Sequence, residues 1–486
     1  MAVRKAGYKR LRKRPAKLDV SYGSVKGATI SPVGSRYSTG IAGIFGDSGY
    51  LDALLKAEAA SSSALSSIYP EKIPERDSRK IKSVADTLHV LPSDVRKTEA
   101  METHHEMGAV IKELAAKAGK SGRYVHYAMT SADAVETGKA LQLRDGLKAL
   151  IETVEAVRDA SITAAKEWRD IPCILRTHGQ HAMPGSFGLP FAFFGYCLDK
   201  SAARLGYDLK NMVEGKLSGA IGTYDVSADE GMDGFLIEKK ALGSLGIRPA
   251  GISMQTPPRE GIACIISDLA VLCGRIESMA HYIKTLKRTE ILEIEEPQES
   301  GTVSSSAMPH KNIHGNPYIE ERCISIARTV RGFALTELES VASEDFRDLT
   351  ASLSDRVAVP EAFVLTDYSC RLMENVVNRI DPVLENIERN LEATKGAVTS
   401  QRLMSRLIAR GASRERARAI VREAAAKAYA SNIQYREALL SDQRVLRFLS
   451  RKEITELSDP RTYMGRSREM IDRIASKYLK ARHATG

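Results

Sequence analysis

Nowhere in the 486 residues is there a run of the roughly 20 apolar residues that a membrane-spanning helix requires. No apolar core of a secretion signal follows the N-terminus, so a cytoplasmic protein with no membrane partner is expected. The six cysteines (Cys173, Cys197, Cys264, Cys273, Cys323 and Cys370) are scattered, and none forms a C-x-x-C pair. This argues against a zinc site and against a disulfide framework, and reduced buried thiols fit the pattern better. Aromatic residues make up only 6% of the chain, with Trp168 the single tryptophan. A core so poor in rings, and rich in Ala, Leu and Ile, suits long packed helices. Acidic side chains are missing before Asp19, while Arg4, Lys5, Lys9, Arg10, Arg12, Lys13, Arg14 and Lys17 crowd the first 18 residues. That stretch reads as a solvated basic tail, with a transit peptide or an RNA contact as weaker alternatives. The net charge of +10 also suits an anionic small substrate, and nucleic acid is not the expected partner.

What is present is helical periodicity. Ile262, Ile265, Leu269, Leu272, Ile276, Met279, Ile283 and Leu286 alternate spacings of three and four, one stripe of a long bundle helix. A second stripe runs Leu143, Leu147, Leu150, Val154, Val157. A third runs Leu365, Leu372, Val376, Ile380, Val383, Ile387, Leu391, with a kink expected at Pro382. The expected fold is all-α: a long central helical bundle with smaller N-terminal and C-terminal helical domains. The expected boundaries are a basic tail over 1–27, an N-terminal domain over 28–130, the bundle over 131–395 and a C-terminal domain over 396–486. In the last, Ser413 is placed to cap a helix over Arg414–Ala428. No region is rich in strands, and a few short strands fit near Leu217–Tyr224 or Val303.

Four polar segments interrupt the helical pattern. In Arg123–Thr137, Thr130 and Ser131 precede Asp133 at a helix start. Capping explains them, and so does anion binding by the free N–H groups there. Arg176–Pro184, RTHGQHAMP, carries His178 and His181 beside Gly179. Histidine there suits general acid–base chemistry, while a structural histidine is the plainer account. His104-His105-Glu106 has the same ambiguity, and neither cluster reads as a metal site. Glu299–His314 carries three consecutive serines and Lys311 between two long helices, a composition that favours a catalytic loop over a linker. Pro317 suits the first position of the helix that follows. In Arg347–Arg356, two arginines flank Ser352 and can clamp an anion, or join a surface ion-pair network.

Together these segments resemble one family. SSSAMPHK, with Ser304 first, resembles the signature loop of the fumarase/aspartase superfamily. RTHGQHAMPGSFG, ISPVGSRY, RDLTASLSDRVAVPEAFVLTDY and DPRTYMG are similar to the adenylosuccinate lyase branch of it, and the likeness runs from about Ile30 to the C-terminus. The resemblance implies a fumarate-releasing β-elimination on adenylosuccinate and on the succinylated aminoimidazole carboxamide ribotide, in purine nucleotide biosynthesis. It implies no cofactor, no metal, and a homotetramer whose active sites are shared between subunits. Another fumarate-releasing lyase of the superfamily, or an inactive structural relative, is the alternative.

By the same resemblance Ser306 is the base, with Ser305 as the fallback. His178 is the general acid and His105 a second histidine that assists it. Lys311 stabilises developing charge, and Glu321 supports His178. Thr130, Ser131, Gln255 and Asn316 hold the succinyl part, while Arg36, Tyr37, Arg347, Ser352 and Arg356 hold the nucleotide. His104, Glu106 and Met308 complete the expected substrate-binding set. Two features depart from the family pattern: the basic tail, and the four residues Asn312–Gly315 between Lys311 and Asn316, three more than is usual.

Overall fold

A computed structural model describes residues 31–88, 91–297, 307–312 and 314–479. Ser305, Ser306, Val303 and the basic tail lie outside the described residues. The elements that position the site are α1 (Asp47–Ile68), α2 (Ser131–Glu167), the hairpin strands β1 (Pro172–Thr177) and β2 (Gln180–Ser186), α3 (Leu189–Asn211), α4 (Glu260–Leu286), α5 (Tyr318–Glu339), α6 (Thr350–Arg379) and α7 (Ser467–Tyr478). The fold is all-α, with three two-stranded sheets as minor elements among the described residues.

Helices α2 to α6 form the central bundle: α3 and α6 flank α2, and α4 packs on α3, α5 and α6. The apolar stripes account for this packing. Leu143, Leu147, Leu150, Val154 and Val157 are all buried on α2, and Ile265, Leu269, Leu272, Ile276, Met279, Ile283 and Leu286 on α4. At about 1.5 Å per residue, the 37 residues of α2 span roughly 55 Å. Gly146 lets that helix approach closely, because a Cβ there would meet the ring of Phe45, stacked on Phe363 of α6, at 2.5 Å. Beyond the far end of α2, Trp168 is fully buried with its ring edge-on to Phe191, 4.7 Å between centroids.

Two smaller apolar clusters stand beside the bundle. One joins α1 to the helices Glu75–Thr87 and Glu106–Ala118 through Leu54, Leu55, Ile81, Val110 and Leu114. The other gathers Leu403, Leu407, Ile420, Tyr435, Leu439 and Ile454. The chain then returns to the bundle, where Ala475 and Tyr478 of α7 pack on Ile162 of α2. Ser413 caps Arg414–Ala430 as expected, its hydroxyl accepting from the Arg416 N–H at 3.2 Å.

Three local expectations are corrected. The third stripe is not one kinked helix: α6 ends at Arg379, Asp381–Pro382 pairs with Ile294–Glu295, and a new helix runs Leu384–Glu392. Proline lacks the helical donor and pushes the residue before it out of the helical region, so the break is complete. Pro360, by contrast, sits inside α6. Leu217–Tyr224 is not a strand; short strands occur instead at Glu214–Gly215 with Arg248–Pro249, and RTHGQHAMP forms most of a hairpin. Pro317 stands at the cap, with Tyr318 the first helical residue.

Candidate active site

A cleft of about 850 Å³ opens where α2, α4 and α6 begin and α5 ends. It brings together His104, His105, Glu106, Thr130, Ser131, Gln255, Arg347, Ser352 and Arg356, residues drawn from four separate stretches of sequence. The start of α2 is fixed by a reciprocal capping box between Thr130 and Asp133, the Thr130 N–H donating to Asp133 Oδ2 at 2.9 Å. The buried Asp133 carboxylate is held further by Lys216 Nζ at 2.7 Å and by the Ser218 and Gly219 N–H groups. The open end of this helix presents Thr130 and Ser131 to the cleft, a setting favourable to an anion.

His105 caps the Glu106–Ala118 helix, its Nδ1 accepting from the Gly108 N–H at 3.2 Å. An accepting Nδ1 leaves the proton of the neutral ring on Nε2. His104 precedes it in the left-handed region, at φ 51°. Arg356 reaches back to Glu106 with Nη1 3.1 Å from Oε1, and its guanidinium lies 5.5 Å from the centre of the Tyr50 ring. Burial, and then the Glu106 charge, push the Tyr50 hydroxyl well above its ordinary pKa. Beneath the cleft, Lys139 bridges Glu136 (2.9 Å) and Asp355 (2.8 Å), and Arg259 also contacts Asp355. Sequence reasoning missed these four. The Glu136/Lys139 spacing on α2 was a signal, but the same spacing is common on solvated helix faces.

The remaining expected residues lie elsewhere. His178 is exposed at the tip of the β1–β2 hairpin, where its φ of 55° and that of Gly179 at 74° make a two-residue turn with both residues left-handed. His181 is half-buried, and burial followed by the Arg176 charge lowers its pKa, against Glu293. Arg176 pairs with the buried Glu293, Nη1 to Oε2 at 3.0 Å, just past the end of α4. Glu321 on α5 accepts from Lys284 Nζ at 2.7 Å, also near the end of α4. Lys311 is exposed in the short turn Pro309–Asn312, and Met308 is exposed beside it. Asn316 lies just before α5, half-buried. Arg36 and Tyr37 sit against α6, with the Tyr37 ring 5.8 Å from that of Tyr368 and flanked by the guanidiniums of Arg36 and Arg322.

His178 therefore cannot reach the cleft of its own chain. The α2 helix carries the chain about 55 Å away from Ser131, and the ten residues from Trp168 to His178 recover at most roughly 35 Å. The hairpin and the Lys284–Glu321 pair share one end of the bundle, and the cleft occupies the other.

The chain is similar to known proteins over most of its length. The family described as "Lyase" matches residues 41–332, and the family described as "Adenylosuccinate lyase C-terminus" matches residues 396–474. The adenylosuccinate lyase of Methanothermobacter thermautotrophicus is 34% identical over 456 residues, covering 93% of this chain and 99% of its own. That of Archaeoglobus fulgidus is 34% identical over 446 residues, covering 92% and 98%. Among solved structures, a fumarate lyase from Mesorhizobium sp. BNC1 superposes with a TM-score of 0.80 at 25% identity, covering 90% of this chain and 97% of that one.

Proposed function

The chain belongs to the adenylosuccinate lyase family, and we propose that it cleaves adenylosuccinate to AMP and fumarate by β-elimination, in purine nucleotide biosynthesis. It is an enzyme of the lyase class. On this reading the succinylated aminoimidazole carboxamide ribotide is a second substrate, and the enzyme works in the cytoplasm. Among the described residues no helix is long and apolar enough to cross a membrane.

The chemistry divides between the two ends of the bundle. Ser306 removes a proton from the succinyl carbon beside a carboxylate, and the carbanion spreads its charge into that carboxylate. His178 protonates the departing nitrogen, and fumarate is released. Lys311 and the α5 N-terminus counter the negative charge that develops. Thr130, Ser131 and Gln255 hold the succinyl carboxylates, Arg347, Ser352 and Arg356 the nucleotide, and His105 assists from the cleft. On this reading the two ends meet across a subunit boundary, and the working form is a homotetramer with shared sites. Exposed apolar residues on the outer faces of the bundle support association: Phe193 and Tyr207 on α3, Val271 on α4, Leu335 and Leu338 on α5.

The observation that carries the proposal is the cleft itself, which unites nine of the expected substrate and histidine positions at a helix N-terminus suited to an anion. An absorbance assay of the purified protein with adenylosuccinate tests it. Stoichiometric AMP and fumarate are expected; absence of turnover, with turnover of another succinyl or fumaryl compound run alongside, overturns the substrate.

A further inference from the structure

Behind the floor of the cleft stands a carboxyl group that the elimination does not use. Glu337, near the end of α5, is 1% exposed; no N–H or hydroxyl group donates to either of its oxygens, and its carboxyl stands within hydrogen-bond reach of the Asp355 carboxylate. Its nearest cation is Arg259 Nη2, at 3.9 Å. The charged groups facing it among the described residues are Lys139 and Glu136 from α2, Arg259 just before α4, and Asp355 from α6. Those four also line the cleft, and Glu337 lies behind them.

Counting charge shows why the proton matters. Lys139 and Arg259 are balanced by Glu136 and Asp355, each cation already committed to Asp355. An ionised Glu337 adds a fifth charge with no donor, and leaves the cluster net negative beneath the cleft. A buried carboxylate in that position is costly, and a neutral carboxyl is not. Burial, and then the Asp355 charge, push the Glu337 pKa up to about 7, against Arg259 and Lys139. Asp355 goes the other way: burial is outweighed by Lys139 and Arg259, which hold it below its ordinary value. Of the two carboxyls, Glu337 is therefore the one that carries the proton.

We propose that Glu337 is a positioning residue that couples anion binding in the cleft to its own protonation. Neutral, it leaves Arg259 and Lys139 locked on Asp355 and the cleft floor uncharged. Ionised, it competes with Asp355 for Arg259 and places negative charge under a ligand bearing phosphate and carboxylates. Binding such a ligand from alkaline solution then draws one proton from solvent onto Glu337, with no other bond made or broken. The inference rests on the proposed adenylosuccinate chemistry for the identity of the anion.

The test compares the full-length enzyme with Glu337→Gln, which fixes an uncharged side chain of the same shape. In the wild type, KM for adenylosuccinate should climb toward about tenfold per pH unit above pH 7 or so, with kcat little affected by this group. In Glu337→Gln that rise in KM should be absent. Calorimetric titration with AMP at about pH 8, in two buffers of different ionisation enthalpy, should show uptake approaching one proton in the wild type and none in the variant. An unchanged KM rise in Glu337→Gln, or no proton uptake by the wild type, overturns the inference; if the variant does not fold, the wild-type titration decides alone. Failure of the substrate reading looks different, because the wild type would then not turn over adenylosuccinate at any pH.

Discussion

Lys216 is completely enclosed by protein, with Nζ 2.7 Å from Asp133 Oδ1 in the first turn of α2. The pair ties the segment after Glu214 to the helix start that presents Thr130 and Ser131 to the cleft. Removing one member of a buried ion pair leaves the other charge without compensation, at a cost of about 3–5 kcal/mol. Lys216→Met should therefore lower the unfolding free energy by that much, read as a lower urea midpoint at unchanged m-value, the residual Ser218 and Gly219 donors keeping the loss near the lower bound. An unfolding free energy within about 1 kcal/mol of wild type would show that the pair contributes little.

His178 offers a cleaner functional test, because it is exposed at a turn and packs little of the core. His178→Ala should lower kcat by at least the ~10²–10⁴-fold typical of a lost general acid, with an unchanged circular dichroism spectrum and thermal midpoint. Near-normal turnover in that variant would remove His178 from the mechanism.

Ser306→Ala should be comparably severe in kcat while leaving binding of adenylosuccinate intact, since the hydroxyl is needed for proton removal and not for holding the nucleotide. Ser305→Ala serves as the register control. Should Ser305→Ala prove the more damaging of the two, the base is Ser305 and the loop assignment shifts by one residue.

Much of this was readable from local pattern. The α2 and α4 stripes announced buried helix faces, and Thr130 before Asp133 announced the capped start of α2. Such signals depend only on neighbours in sequence. The β1–β2 hairpin was missed because its strands hold His, Pro and Gly where alternating β-branched residues would have marked them. Pro382 was read as a kink because apolar spacing continues across it, although only pairing with Ile294–Glu295 determines what the chain does there. Glu337 was invisible for a different reason. In TELES it reads as one more charge at a solvated helix end, and only four converging elements turn it into a buried carboxyl. The two-ended distribution of site residues, likewise, follows from helix length and direction rather than from any motif.

That distribution makes the strongest quaternary prediction. His105 lines the cleft, and His178 stands beyond the opposite end of α2, at least roughly 20 Å away by chain geometry. If both serve one reaction, they come from different subunits. His105→Ala and His178→Ala enzymes should each be nearly inactive. Dissociated, mixed in equal amounts and reassembled, they should recover activity. A site then needs its His105 from a chain carrying His178→Ala and its His178 from a chain carrying His105→Ala. With random assembly each condition is met half the time, so about a quarter of sites should be intact. Recovery near that fraction, seen only after dissociation, is the expected result. If mixed oligomers form, as verified by differential tagging and mass, and still no activity returns, then His105 and His178 do not act together across a subunit boundary. The shared-site arrangement is then wrong.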